Sequence, residues 1–265
     1  MTEREDGIAE RLAAVGAVMR EAGALALDHF TEREALAVEV KGTQDVVSAA
    51  DREVEALVRA RLAERFPGDG VIGEEEGVQG DTASVWIVDP IDGTQNFLRG
   101  LPYWTVVLAY VRDGVCELGL TYDPVHDELF TARRGHGAWR DGTAIRCRAP
   151  ASPTDACVAL SFGFKDDWRV YVDMQARFLE RGVDMRRLGS TALILCHIAD
   201  GRLDVLYAPG NQSWDCLAGL LTVREAGGVA CDFLGENGLL GRGPAVAAVA
   251  PMQALTEELT GVRLV

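Results

Sequence analysis

Histidine and cysteine are few in this sequence and stand apart from one another. His29, His126, His136 and His197 show no ligand spacing, and Cys116, Cys147, Cys157, Cys196, Cys216 and Cys231 form no CxxC pair and no short Cys/His cluster. Neither a zinc site nor a disulfide framework is indicated, and reduced, mostly buried thiols are expected instead. Basic charge is also short: 26 Lys and Arg face 41 Asp and Glu, a formal net charge of −15 with no basic run, which opposes a duplex nucleic-acid partner. No apolar run approaches the ~20 residues of a membrane span. The opening MTEREDGIAERL lacks the basic-then-apolar order of a signal peptide, so a cytoplasmic protein without a membrane partner is expected. A P-loop, GxxxxGK[S/T], and an EF-hand D-x-D-x-D-G pattern are both missing.

What is present is apolar content of 48% in 265 residues, ample for one large domain or two closely packed halves. Ile8, Leu12, Val15 and Met19 recur at helical spacing and predict a helix to about His29. A second helix follows, with Ser48 as N-cap, Val54, Leu57, Val58 and Leu62 on one face, and a stop near Phe66-Pro67-Gly68. The runs VIGE, SVWIVD, WTVVLAYV, CELGLTYD and ELFTAR read as strands of an antiparallel meander. The Pro-containing RAPASPTD, Arg148 to Asp155, marks a boundary between an α+β half, 1–148, and an α/β half, 149–265. In the latter, VALSFG and LDVLYA read as strands. WRVYVDMQARFLE, STALILCHIADG from Ser190, and SWDCLAGLLTVREAGG closed by Gly227 or Gly228 read as helices. Trp86, Trp104 and Trp214 read as packing residues.

The chemistry is carried by acids where acids are costly. Asp89 and Asp92 stand three apart in DPIDGT, where an apolar strand runs into a Gly-Thr turn. Carboxylates so placed suit Mg²⁺, a hard cation held by one or two acids plus substrate phosphate; an Asx-type turn is the bland account. Glu74 and Glu75 follow the apolar VIG, either as ligands or as a solvated charge run. Asp215 opens an apolar helix, where the helix dipole alone would account for it. Asp51 lies three residues after Ser48, a variant capping box. Each acid has a local excuse; their order along the chain does not.

That order, GEE, then W-I-V-D-P-I-D-G-T-Q-N-F, then WD opening a helix that ends in EAGG, resembles the inositol monophosphatase family of Mg²⁺-dependent, lithium-sensitive phosphatases, over about Lys41 to Gly228. The resemblance implies a layered α/β/α/β/α sandwich of the inositol monophosphatase or sugar-phosphatase type, a homodimer, and two to three Mg²⁺ ions. It implies Glu74, Asp89 and the Ile91 carbonyl as ligands of a first ion, and Asp89, Asp92 and Asp215 as ligands of a second. Glu74 would help hold a weaker third ion through water, with Glu75 in support. Gly93 and Thr94 would receive the phosphate through backbone N–H groups, and Thr94, oriented by Asp51, would align the attacking water. The reaction implied is hydrolysis of a small phosphate monoester by a metal-activated water. The D-x-D-x-T/V spacing of aspartyl-phosphate enzymes is not matched, because these acids are three apart.

On the substrate side, Gly189, Ser190 and Thr191 match the family's G-[ST]-x-A-L loop, while a Ser190 N-cap explains the same residues. Position 208, where the family commonly places an acid contacting substrate hydroxyls, is Ala. Asn211, Gln212 and Ser213 offer replacement hydrogen bonds or simply a polar turn. Inositol-1-phosphate or a related polyol or cyclitol phosphate is therefore the first expectation. Histidinol-phosphate phosphatase, fructose-1,6-bisphosphatase, nucleotide 3′-phosphatase and a non-catalytic Mg²⁺-responsive protein are the alternatives.

Overall fold

The structure is a computed structural model, and it describes residues 3–33, 38–42, 45–163 and 165–265. Its first layer is a helix pair, α1 (Glu3–Thr31) and α2 (Ala49–Arg65). An antiparallel hairpin, β1 (Val38–Gly42) and β2 (Asp45–Ser48), joins them. Val15, Met19, Ala22 and Ala26 of α1 and Val54, Val58 and Leu62 of α2 are buried, as their helical spacing requires. The sequence reading placed α2 and its Ser48 N-cap but missed β2, because DVVS is a short apolar run directly ahead of a helix.

The pair covers one face of an eight-stranded sheet. Its strands are β3 (Gly70–Gly73), β4 (Gly77–Gln79), β5 (Ser84–Asp92), β6 (Thr105–Arg112), β7 (Val115–Asp123), β8 (Glu128–Arg133), β9 (Gly137–Arg140) and β10 (Thr143–Ala144). They lie in the order β10-β9-β8-β7-β6-β5-β3-β4. From β5 onward this is the expected antiparallel meander. The exception is β3, which pairs parallel to β5 and antiparallel to β4. The consequence is that the turn after β3 and the end of β5 point the same way. A short helix, α3 (Thr94–Leu98), follows β5.

The second sheet, in the order β12-β11-β13-β15-β14, comprises β11 (Cys157–Leu160), β12 (Asp184–Arg186), β13 (Val205–Asn211), β14 (Val229–Ala230) and β15 (Gly243–Ala248). The sequence reading left out β12, β14 and β15, whose runs are short or Ala-rich. Helices α4 (Trp168–Glu180), α5 (Thr191–Ala199), α6 (Ser213–Glu225), α7 (Phe233–Asn237) and α8 (Gln253–Thr260) complete the chain. Of these, α5 and α6 lie between the two sheets, with α4 and α8 outside the second, so the layers run α/β/α/β/α. α6 ends one residue earlier than expected, at the cap Ala226, and Gly227 with φ +89° takes the left-handed position after it.

The sheet alternation sorts the core. Val85 and Ile87 of β5 and Val107, Ala109 and Val111 of β6 face the central helices, while Trp86, Val88, Val106, Leu108 and Tyr110 face α1 and α2. Burial on both faces is why these strands read as continuous apolar runs. Helix α6 is apolar nearly all round because both sheets and α5 touch it, and glycines set how closely. A Cβ on Gly119 would lie 2.5 Å from the Ala218 carbonyl oxygen, and one on Gly219 would lie 2.5 Å from Leu195 Cβ. Gly119→Ala therefore forces α6 off the sheet, with an expected loss of about 1–3 kcal/mol. Chemical unfolding checks this: an unchanged midpoint would mean that the helix can shift freely.

Candidate functional site

Acids three apart on a regular strand point to opposite faces. Here the ladder between β5 and β6 pairs Asp89 with Val107 and Asp92 with Thr105, so three steps on β5 answer two on β6. One extra residue is accommodated at Pro90-Ile91, a bulge where a proline costs no ladder hydrogen bond. The bulge brings Asp89 and Asp92 to the same side. Asp215, in the first turn of α6, joins them, and one ligand oxygen from each of the three lies within 4.8 Å of the others. Glu74 sits in the turn after the parallel neighbour β3, its N–H donating to Val88 O at 3.3 Å.

Each acid is held by donors of its own. Asp89 Oδ1 accepts from Ile91 N at 3.0 Å. Asp92 reaches the start of α5, accepting from Ser190 Oγ at 2.6 Å, Ala192 N at 2.7 Å and Thr191 N at 3.4 Å. Asp215 accepts from Gln212 N at 2.6 Å. Asp51, in the first turn of α2, accepts from Ser48 N at 2.8 Å and Ser48 Oγ at 2.7 Å. The Thr94 hydroxyl lies between Asp51 Oδ1, 3.4 Å away, and Ile91 O, 3.1 Å away.

The charges press on one another. Burial first, then Glu74, Asp92, Asp215 and Asp51, hold the Asp89 carboxyl well above the usual carboxylate range. Burial raises Asp92 to about 6 against the pull of its Ser190 and Ala192 hydrogen bonds. Burial and then Asp92 raise Asp215 to about 7. Burial also raises Asp51, against its Ser48 bonds. At an effective dielectric of about 20, two carboxylates about 5 Å apart repel by roughly 3 kcal/mol. Only protons or cations relieve such a cluster, and its all-oxygen, anionic donor set fits Mg²⁺.

The cluster opens on a cavity of about 290 Å³ lined by Asp92, Asp215, Gly189, Thr191, Ser161 and Ala208 among others. Gly93, with φ +103°, starts α3 in a space where a Cβ would meet Tyr103 O at 3.1 Å and Gly189 O at 3.3 Å. Ser190 serves as the N-cap of α5 while donating to Asp92. Thr191 Oγ1 donates to Asn211 Oδ1 at 3.0 Å. Two residues of the polar turn before Asp215 are engaged by the protein: Asn211 donates to Ala208 O at 3.0 Å, and Ser213 Oγ donates to Leu239 O at 2.6 Å.

The sequence model of the inositol monophosphatase family matches residues 9–262. The chain belongs to that family. Inositol-1-monophosphatase of Mesorhizobium japonicum is 39% identical over 238 residues, 88% of this chain and 89% of its own. Nus factor SuhB of Haemophilus influenzae is 37% identical over 248 residues, 92% of each chain. The crystal structure of extragenic suppressor protein suhB from Bartonella henselae matches 94% of this chain and 98% of its own, with a TM-score of 0.88 and 31% identity. Members of the inositol monophosphatase family are generally Mg²⁺-dependent, and Asp89, Asp92 and Asp215 could hold a metal ion.

Three residues that support this site have no role assigned from the sequence, although Asn96 and Phe97 stand in the quoted motif. Asn96 Nδ2 donates to Tyr103 O at 2.8 Å and Leu188 O at 2.7 Å, tying α3 to the loop before α5. Phe97 anchors the same turn against Phe30 and Trp104, at ring-centroid distances of 5.4 and 4.9 Å. Buried Glu55 accepts from Glu75 N at 2.8 Å and Glu76 N at 3.0 Å and pairs with Arg59, fixing the acidic turn. The Glu55–Arg59 spacing of four was the available signal. Trp86 and Trp104 are fully buried, and Trp214 packs against the core.

A pH dependence follows. The folded values of Asp92 and Asp215 lie above the unfolded Asp value of about 3.9, so metal-free protein is most stable with both protonated and loses that stability as pH rises through about 6 to 7. Mg²⁺ favours the ionised form. The unfolding midpoint of chelator-treated protein should therefore fall from about pH 4 to about pH 7, with the Mg²⁺-induced gain growing over the same interval. Asp215→Asn should flatten both trends; profiles parallel to wild type would remove Asp215 from the coupling.

Proposed function

We propose that the protein is a Mg²⁺-dependent phosphatase of a small phosphate monoester, with inositol-1-phosphate or a related polyol or cyclitol phosphate as substrate. The observation that carries this reading is the meeting of Asp89, Asp92 and Asp215, from β5 and α6, within 4.8 Å beside a cavity that Asp92 and Asp215 line. Glu74 and Asp51 lie close enough to press on Asp89. A bare cluster of this kind repels a phosphate, so substrate and cations bind as one electrostatic unit.

Glu74, Asp89 and the Ile91 carbonyl would hold a first Mg²⁺, Asp89, Asp92 and Asp215 a second, and Glu74 would share in a weaker third. When bound, Mg²⁺ supplies Lewis-acid polarisation and neutralises charge that develops on the phosphoryl oxygens. The Gly93 and Thr94 amides receive phosphate oxygens. Thr94 Oγ1 directs its hydrogen toward Asp51 and Ile91 O, leaving its lone pairs to accept a hydrogen bond from water and aim that water at phosphorus. The new P–O bond forms as the ester P–O bond breaks, the attacking water gives up a proton and the leaving oxygen takes one up as the alcohol, and inorganic phosphate departs with no covalent enzyme intermediate. Glu74 helps hold the water, and Gly189, Ser190 and Thr191 shape the alcohol side. On this reading the halves 1–148 and 149–265 complete one site, because Asp215 and the donors to Asp92 come from the second.

Ala208 favours a second group of readings within the same chemistry: histidinol-phosphate phosphatase, fructose-1,6-bisphosphatase or nucleotide 3′-phosphatase. A relative named as a Nus factor is the reason to keep a non-catalytic Mg²⁺-binding role in view, and the full set of acids favours hydrolysis over it. The family resemblance and the charge of −15 support a cytoplasmic, lithium-sensitive homodimer without a nucleic-acid partner.

Phosphate release with Mg²⁺, with and without Li⁺, across inositol-1-phosphate, histidinol phosphate, fructose-1,6-bisphosphate and 3′-phosphoadenosine 5′-phosphate tests the reading. One preferred, Li⁺-inhibited substrate is expected. Asp92→Asn should lower kcat by on the order of 10²-fold or more while the variant still folds by circular dichroism. Wild-type turnover in that variant would overturn the assignment of Asp92.

A further inference from the structure

We propose that Asp166 supplies, from a different segment, the substrate-gripping carboxylate that position 208 lacks; the inference rests on the phosphatase reading. Ala208 is buried on β13 and lines the cavity beside Asp92 and Asp215. Asp166 lies in the loop between β11 and α4 and lines the same cavity. Its side chain is only 7% exposed. Its two oxygens are fixed by different partners: Oδ1 accepts from Arg242, and Oδ2 accepts from Gly163 N at 3.1 Å. Arg242 in turn approaches Gly210 O at 3.4 Å.

Gly210 makes room for this pair. A Cβ there would fall 1.9 Å from Arg242 Nη2 and 2.4 Å from Asp166 Oδ1. The Asp166 carboxylate therefore lies over the chain two residues beyond Ala208, in the cavity that the missing acid would have entered. A carboxylate offers about four lone-pair sites, and two are engaged by the protein. The remaining two suit the hydroxyls of a ligand. Because Arg242 balances the negative charge and holds its orientation, the pair selects neutral hydroxyl donors over an ammonium group. The ligand class is the polyhydroxylated alcohol of a polyol or cyclitol phosphate. Asp166 is thus a specificity-determining residue, outside the hydrolytic machinery.

The test compares Asp166→Ala with wild type on inositol-1-phosphate and on p-nitrophenyl phosphate, which has no hydroxyl-bearing alcohol. The ratio of kcat/KM for the first over the second should fall about tenfold, mainly through KM, the loss expected for a hydrogen bond to a charged group. Adding Ala208→Glu to Asp166→Ala should restore the preference, which a merely structural role for Asp166 would not allow. Equal losses on both substrates, no change on either, or failure of the second substitution to rescue would overturn the inference. If wild type hydrolyses no monoester, the phosphatase reading fails by itself. Calorimetric titration with inositol-1-phosphate and Mg²⁺ then decides: binding about tenfold weaker in Asp166→Ala sustains the role, and equal binding removes it.

Discussion

Everything near the site answers to one constraint, the burial of carboxylates that also repel one another. Asp89 and Asp92 are buried, Asp215 is half-buried, and all three keep raised pKa values despite their hydrogen bonds. Local donors therefore do not offset the crowding. What the donors do is fix position: Asp92 receives the first amides of α5, Asp215 an amide at the start of α6, and Asp51 the start of α2. Three helices thus begin at the cluster, their positive ends turned toward it. The structure tolerates acids there in their protonated form and is poised to exchange protons for cations.

This arrangement explains why the sequence could be read twice at each acid. Asp51 does complete a capping box with Ser48, Asp215 does sit in the first turn of α6, and Asp89 does bond the amide two residues on, as in an Asx turn. The bland readings were true locally and did not compete with the functional one, because a carboxylate has lone pairs to spare for both. The decisive information was the order of the motifs, which carried the family and the layered fold. Spacing alone would have misled, since the separation of three between Asp89 and Asp92 puts them on one side only through the bulge at Pro90-Ile91. Bulges depend on pairing with another strand, and no local pattern announces this one.

Elements with a strong period were legible, as α1, α2 and the strands from β5 to β8 show. The β1–β2 hairpin, β12 and β14 were not, because they have only two to five residues and owe their form to neighbours. Asn96 and Glu55 act through backbone groups far along the chain, contacts that a single sequence does not display. The cavity wall around Ala208 was the least legible part. Position 208 showed what was missing, while the carboxylate near it comes from a loop whose relation to β13 exists only in three dimensions.

The three clustered carboxylates could hold a metal ion, in competition with the protons that burial favours. Calorimetric titration of Mg²⁺ into metal-free protein, repeated in buffers of different ionisation enthalpy, measures cation binding and proton release together. Saturable binding that releases more protons near pH 6 than near pH 8 is expected, because Asp92 and Asp215 are pushed up to about 6 and about 7. No saturable binding, or binding with the same proton release at both pH values, would contradict it.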